Sequence, residues 1–415
     1  MKVLKICLLG RPFIEWRGRQ VNGFVSEKAL ALFAYLVLVP GSQAREKLAG
    51  LFWGDKTASR ARANLRMALY NLGQLFPDYL QTSRLSVSFE RQLDYWLDVE
   101  QFEKVLSAKD GLETISIPAL EKALSLYRGD LLEGIYLNGS PELDEWLLMA
   151  REHLKQLALG GFQLYAGKLM EAGEFTGAAQ AWQKLLRLEP WQETAHQGLM
   201  LALARKGEYT AALEQYEVCQ RLLREELGVE PMPETTRIYA RIRAARDLPS
   251  RHNLPLQPTP FIGRERELKD LRKILANPGE RLITISGPGG AGKTRLALQA
   301  AAGQVHAMLH GVYFVPLESL SSPEGLPAAI GSSLGLSFQG KTSLRSQLLN
   351  YLLDREILLV LDNFEHLLGG ADLAAEILMK APQVKILVTS RQRLNLREER
   401  LIHLSGLGTP GSGLE

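Results

Sequence analysis

At 415 residues the chain is too long for one ordinary hydrophobic core and points to roughly two to four domains. Its 49 Lys and Arg against 46 Asp and Glu leave a formal net charge of +3, which excludes a chain that is polycationic throughout, so any nucleic-acid surface has to be local. Two distant cysteines, Cys7 and Cys219, give no support to a disulfide framework or a zinc site and suit a reducing cytoplasm, and the longest apolar run, "ALALFAYLVLV" at 29–39, is too short to span a bilayer.

Residues 1–98 open with alternating apolar positions, "KVLKICLLG" and "PFIEWRGRQV", around an Arg17-Gly18 turn, which predicts a small antiparallel sheet. A helix follows, capped by Ser26 with Glu27 in its first turn, striped by Leu30, Phe33, Ala34 and Val37, and stopped at Pro40-Gly41. A second short helix is expected over 44–53. The stretch "GDKTASRARANLRMALYNLGQLF" at 54–76 supplies a third, begun by Thr57 or Ser59. After it, "LSVSF" and "LDYWLDV" read as two strands of one hairpin. Sheet, three helices and hairpin is the order of a winged helix-turn-helix domain, an α+β fold.

Residues 99–247 read as almost entirely helical, and here the chain repeats itself. Gly173-Glu174-Phe175 and Gly207-Glu208-Tyr209 stand 34 residues apart, inside "AGEFTGAAQAWQKLLRLEP" and "KGEYTAALEQYEVCQRLLREELGVEP". That period predicts an all-α layer of tetratricopeptide-like helical hairpins. Residues 248–260, "LPSRHNLPLQPTP", carry four prolines and read as an extended linker that permits relative motion of its neighbours. From 261 to 415, helical segments alternate with buried-strand runs at 282–286, 312–317, 357–361 and 385–390, the pattern of a parallel α/β sheet.

The strongest local signal is "GPGGAGKT", lying between the strand "LITIS" and the helix "TRLALQAAAGQ". Gly287, Gly289, Gly290, Ala291 and Gly292 let backbone N–H groups wrap close to phosphates. Lys293 then reaches the outer phosphates and the Thr294 hydroxyl holds Mg²⁺, with Arg295, next into the helix, expected among the nucleotide contacts. Such a loop also needs a carboxylate on a neighbouring strand to hold the metal, and "ILLVLDNFEH" ends its apolar run at Asp362. The strand "KILVTSR" brings Arg391 to the same edge, as a sensor of the terminal phosphate or as half of a structural ion pair. Asn363 stands where a second acid usually activates water. Glu365 or Asp362 is left for that role, so a slow switch is as compatible with the residues as a fast ATPase.

Taken together these residues resemble a known arrangement. The first 247 residues are similar to the antibiotic regulatory proteins (SARP), an OmpR-like winged helix followed by a bacterial transcriptional activator domain. The resemblance is carried by "LFWGD", "RARANLRMALYNL", "ALSLYRGDLLEG", "LRLEPWQETAHQGLMLALARKGEYTAALEQYE" and "LLREELGVEPMPET". Residues 261–415 resemble the nucleotide-binding part of AfsR-like STAND proteins, related to NB-ARC and AAA modules, through "FIGRERELKDL", the P-loop, "LLVLDNFEHL" and "ILVTSR". The resemblance implies that Ile262, Gly263 and Arg264 lie over the adenine and ribose of ATP or ADP. It also implies a switching role, double-stranded promoter DNA and RNA polymerase as partners, and a homo-oligomer, with no membrane.

Relatives keep basic residues near the end of the third helix, where this chain has Gly73 and Gln74. They also continue beyond the point where this chain stops, so the nucleotide-binding part is expected to be incomplete. On the third helix, Ala61, Leu65, Leu69, Leu72 and Phe76 share one side, while Ser59, Arg62, Arg66 and Tyr70 share another. By itself that is an ordinary solvated face. The preceding short helix, the following hairpin and the resemblance make it the groove-facing surface of a transcriptional activator, with Arg60, Arg62, Asn64, Arg66 and Tyr70 as its DNA contacts. The competing expectation is an ATP-dependent signalling scaffold that uses the helical layer for protein partners.

Overall fold

The computed structural model describes residues 3–107, 114–137, 140–248 and 251–405. The chain divides into two compact units, Met1–Leu169 with Gln180–Pro190, and Met170–Ala179 with Trp191–Glu415.

In the first unit, β1 (Leu4–Cys7) and β2 (Phe13–Trp16) pair antiparallel, and β2 pairs with β3 (Arg19–Gln20). Arg17 and Gly18 between them both take left-handed φ, 54° and 76°, as a tight hairpin turn requires. Helix α1 (Glu27–Leu38) starts where the Ser26 hydroxyl accepts the Ala29 N–H. Its burial is wider than a stripe: Leu32, Phe33, Ala34, Tyr35, Leu36 and Val37 are all inside, so α1 is the central rod of the domain. Strand β4 (Gln43–Ala44), helix α2 (Arg45–Trp53) and helix α3 (Ala58–Leu75) follow.

The expected hairpin is replaced by a different pairing. Strand β6 (Ser86–Phe89) pairs with β5 (Leu80–Thr82) and with β4, while β7 (Tyr95–Leu97) leaves it and runs parallel to β1. Asp98 accounts for the departure. Its carboxylate, 1% exposed, accepts the Leu8 N–H at 2.8 Å and the Leu9 N–H at 3.0 Å, binding the end of β7 to the end of β1. Helices α4 (Asp98–Leu106), α5 (Ile117–Leu124) and the 31-residue α6 (Pro141–Glu171), up to Leu169, complete this unit with the C-terminal part of α7 (Phe175–Leu188). Gly161 in α6 is the point of closest approach, where a Cβ would stand 2.9 Å from Leu124 and 3.0 Å from Leu106.

In the second unit α8 (Glu193–Arg205) and α9 (Tyr209–Leu222) form a hairpin, and α10 (Pro233–Arg246) packs on both after a π-helical turn. The 34-residue period has a structural counterpart. Gly173 and Gly207 both take left-handed φ, 78° and 88°, each just before a helix, and Ala178 and Ala212 at the same offset are both fully buried.

The rest of the second unit is a parallel sheet. Its strands are β8 (Leu282–Ser286), β9 (Val312–Pro316), β10 (Leu358–Asp362), β11 (Lys385–Ser390) and β12 (Glu399–His403), in the order β12-β8-β11-β10-β9. Helices α11 (Glu265–Ala276) and α12 (Lys293–Ala302) belong to one apolar core; α13 (Leu326–Ser333), α14 (Leu344–Leu352) and α15 (Ala371–Lys380) belong to the other. Every residue of β8 and β10 is buried, which is why both read as continuous apolar runs. Strand β12 escapes the sequence reading because it is an edge strand of mostly half-exposed or exposed residues, "ERLIH".

The proline-rich stretch is seated at its start. Val312 donates its N–H to Arg251 O at 2.8 Å, and the Asn253 amide both accepts from Phe314 N and donates to Phe314 O. Residues 251–253 thus run along the open edge of β9, which restricts the motion expected of a free linker. Among the described residues no helix is long and apolar enough to cross a membrane.

Candidate nucleotide and nucleic-acid sites

The segment Gly287–Thr294 leaves β8 at Ser286 and enters α12 at Lys293. Gly290 and Gly292 take left-handed φ of 76° and 87°, and no protein atom lies within 4 Å of where a Cβ on either would stand, so the loop faces open space there. Gly287 is glycine for another reason: a Cβ would stand 2.2 Å from Leu404 O, just after β12. The first N–H groups of α12 have no partner within the helix and carry its positive dipole end, which suits an anion.

Around this loop the side chains are buried and mutually bonded. Lys293, 8% exposed, folds its ammonium over the loop and donates to Gly287 O at 3.1 Å and Pro288 O at 3.0 Å. Thr294 Oγ1 donates to Asp362 Oδ1 at 2.7 Å, and Thr389 Oγ1 donates to the same oxygen at 2.5 Å while accepting the Asn363 N–H. The strand bearing Asp362 is not the neighbour of the loop strand, contrary to expectation. β11 lies between β8 and β10, and its Thr389 fills the gap by fixing the carboxylate. A hydroxyl and a carboxylate oxygen therefore converge beside a helix N-terminus, a donor set that fits Mg²⁺ completed by phosphate oxygens and water. Among the described residues no group of three His, Cys, Asp or Glu gathers to hold a metal alone.

Arg391 is 67% exposed at its side chain and pairs Nε with Glu365 Oε1 at 3.1 Å, yet its Nη2 lies only 3.7 Å from the Cβ position of Gly289. Both readings of Arg391, loop neighbour and ion-pair partner, therefore have a geometric basis. Among the described residues the other Glu365 oxygen is buried without a hydrogen-bond partner. Arg264 is 8% exposed and ties its turn to the loop by donating to Ala291 O and Ser405 O, with Glu267 as its ion-pair partner. Gly263 takes φ of 84° and Ile262 is 75% exposed. Arg295, expected among the nucleotide contacts, instead turns away from the loop: its Nη2 donates to Thr259 and Pro260 in the approach segment.

In the winged helix, α3 separates its two sides as the periodicity requires. Ala61, Leu65, Leu69, Leu72 and, just past its end, Phe76 are buried; Arg60, Arg62, Arg66 and Tyr70 are exposed, and Asn64 is half-buried. Arg62 lies 3.7 Å from Glu46 with both groups mostly in solvent, a contact worth little. Among the described residues Arg60 and Arg66 have no ion pair. Helix α3 runs through Gly73 to Leu75, and a Cβ at Gly73 would meet nothing. The sequence reading missed Arg84, exposed in the turn between β5 and β6, because it placed the hairpin one strand too late. The signal was the Ser83 hydroxyl, which accepts the Leu85 and Ser86 N–H groups and fixes that turn.

A winged helix with an exposed basic helix, a helical layer and a P-loop sheet define a modular regulator. Residues 97–243 match the bacterial transcriptional activator domain and residues 276–411 match an AAA domain. The regulatory protein AfsR of Streptomyces griseus is 30% identical over 428 residues, covering 94% of this chain and 42% of that protein. AfsR of Streptomyces coelicolor is 27% identical over 87% of this chain and 39% of its own length. Among solved structures, Mycobacterium tuberculosis EmbR in complex with a low-affinity phosphopeptide matches 60% of the chain at 20% identity and a TM-score of 0.46. The chain is thus similar to AfsR-type regulatory proteins, and it spans about two fifths of the length of these relatives.

Proposed function

We propose that this chain is a DNA-binding transcriptional activator whose P-loop module binds ATP or ADP with Mg²⁺ as a conformational or assembly switch. The observation that carries the DNA reading is the exposed row of Arg62, Arg66 and Tyr70 on the third helix, backed by the buried Leu65 and Leu69 and flanked by α2 and the β5–β6 wing. In that reading α3 enters the major groove, the wing with Arg84 meets the phosphate backbone, and the helical layer, read as tetratricopeptide-like, meets RNA polymerase or a second copy.

The nucleotide reading rests on the convergence of Thr294, Asp362 and the Lys293 ammonium. Lys293 would hold phosphate oxygens in place of its loop carbonyls, Thr294 and Asp362 would hold Mg²⁺ directly or through water, and Arg391, now beside Glu365, would reach the terminal phosphate. Bound Mg²⁺ supplies charge neutralisation to the phosphates. Asn363, which takes the position of the usual base and a left-handed φ of 62°, supports slow turnover.

Binding to promoter fragments, titrated across salt, tests the first reading. Saturable binding that weakens in Arg62→Ala and Arg66→Ala supports it, whereas weak, variant-independent retention overturns it and leaves the scaffold.

A further inference from the structure

The end of the sheet opposite the P-loop borders a cleft of about 480 Å³, in the size range of a small-molecule site. Arg281 stands just before β8, Lys385 opens β11 and Glu356 lies two residues before β10, while Arg205 closes α8 of the helical layer. Strands of about five residues put this edge roughly 17 Å from the phosphate loop.

Positive charge here exceeds its compensation. Glu356, 7% exposed, gives one oxygen to Arg205 Nη2 and the other to Arg241 Nη2, both at 2.7 Å, so a single carboxylate answers two guanidiniums. Among the described residues Arg281 and Lys385 have no ion pair. Among the described residues Arg281 donates to the carbonyls of Leu378, Ala381 and Val384, and Lys385 to those of Leu275 and Asn277. Those carbonyls lie at the C-terminal ends of α15 and α11 and ahead of β11, so helix capping explains the position of both cations but not their charge balance. Among the described residues Arg281 uses three of its five donors and Lys385 two of its three, while Arg205 Nε and Arg241 Nε are buried with no hydrogen-bond partner. Burial lowers the Arg281 pKa and brings Lys385 down to about 8, even with Glu356 and Glu280 nearby, the direction a cation short of counter-charge takes. Glu171, the other acid lining the cleft, is exposed.

We propose that this cleft is a second anion site, separate from the P-loop, which takes a small phosphate-bearing ligand on Arg281 and Lys385 of the sheet base and Arg205 of α8. Two guanidinium forks and an ammonium suit the several oxygens of a phosphate group. The ligand spans the sheet and the helical layer and strengthens the joint that Glu356 already makes.

Pyrophosphate titrated calorimetrically into the full Lys293→Ala chain, whose P-loop has lost its phosphate-binding ammonium, tests this. One saturable site should remain there, weakened about tenfold or more by Lys385→Met and by Arg205→Gln, and restored in part by Lys385→Arg. Melting curves confirm that each variant is folded, and Arg205→Gln carries the test if Lys385→Met is not. Absence of a pyrophosphate site in the Lys293→Ala chain, or affinity unchanged in the folded variants, overturns the proposal.

Discussion

The P-loop and helix α3 are both read as surfaces for phosphate, yet they are built in opposite ways. At the P-loop, Lys293 and Asp362 are 8% and 7% exposed, and Thr294 and Thr389 fix the carboxylate before any ligand arrives. On α3, Arg60, Arg62, Arg66 and Tyr70 stand in solvent, with the 3.7 Å contact between Arg62 and Glu46 the nearest thing to a restraint. A prearranged site loses little conformational freedom on binding, whereas long exposed side chains lose rotamer entropy with each contact they make. Single substitutions at the loop should therefore be expensive, and those on the exposed row of α3 modest and spread out.

The largest effect expected is on the buried side of α3. Leu65→Ala opens a cavity and should cost the winged helix about 2–5 kcal/mol in denaturant unfolding, while Met67→Ala, at a residue 59% exposed, should change little. Equal losses at the two positions would break the assignment of faces. Next, Lys293→Ala should weaken Mg-nucleotide binding by about 100-fold in calorimetry, the loss of charge-assisted bonds worth about 2–3 kcal/mol. A loss of less than about threefold would mean that the ammonium stays on Gly287 and Pro288 when nucleotide binds.

Smaller effects follow on the exposed row. Arg62→Ala and Arg66→Ala should each lower promoter affinity by about tenfold, and each removed phosphate contact should reduce the slope of log affinity against log salt by about 0.9. An arginine whose loss alters sequence preference with no change in slope reads a base instead. Smallest, Gly73→Ala should stabilise α3 by up to about 1 kcal/mol, because Gly73 is helical and a Cβ there meets nothing. Unchanged DNA binding in that variant would place the end of the reading surface before residue 73; reduced binding would extend it.

Legibility in the sequence followed the range of the interactions. Helix α3, the Ser26 cap, the Arg17-Gly18 turn and the 34-residue repeat were all visible because each depends on residues a few positions apart or on a strict period. The hairpin was misplaced because β5, "LQT", carries one apolar residue, and because β7 is drawn to β1 by Asp98 across 90 residues of chain. Arg295 followed the loop in sequence, but its guanidinium turned to Thr259, and no local pattern encodes that choice.

By itself the sequence determined the glycine-rich loop, with its glycines, Lys293 and Thr294, and the two-sided character of α3, since both are written in backbone freedom and helical period. Only the tertiary structure decided that Thr389 of an intervening strand holds Asp362, that residues 251–253 lie along β9, and that Glu356 answers both Arg205 and Arg241. Those contacts join groups 27 to 151 residues apart, and no local spacing records which polar groups the fold brings together.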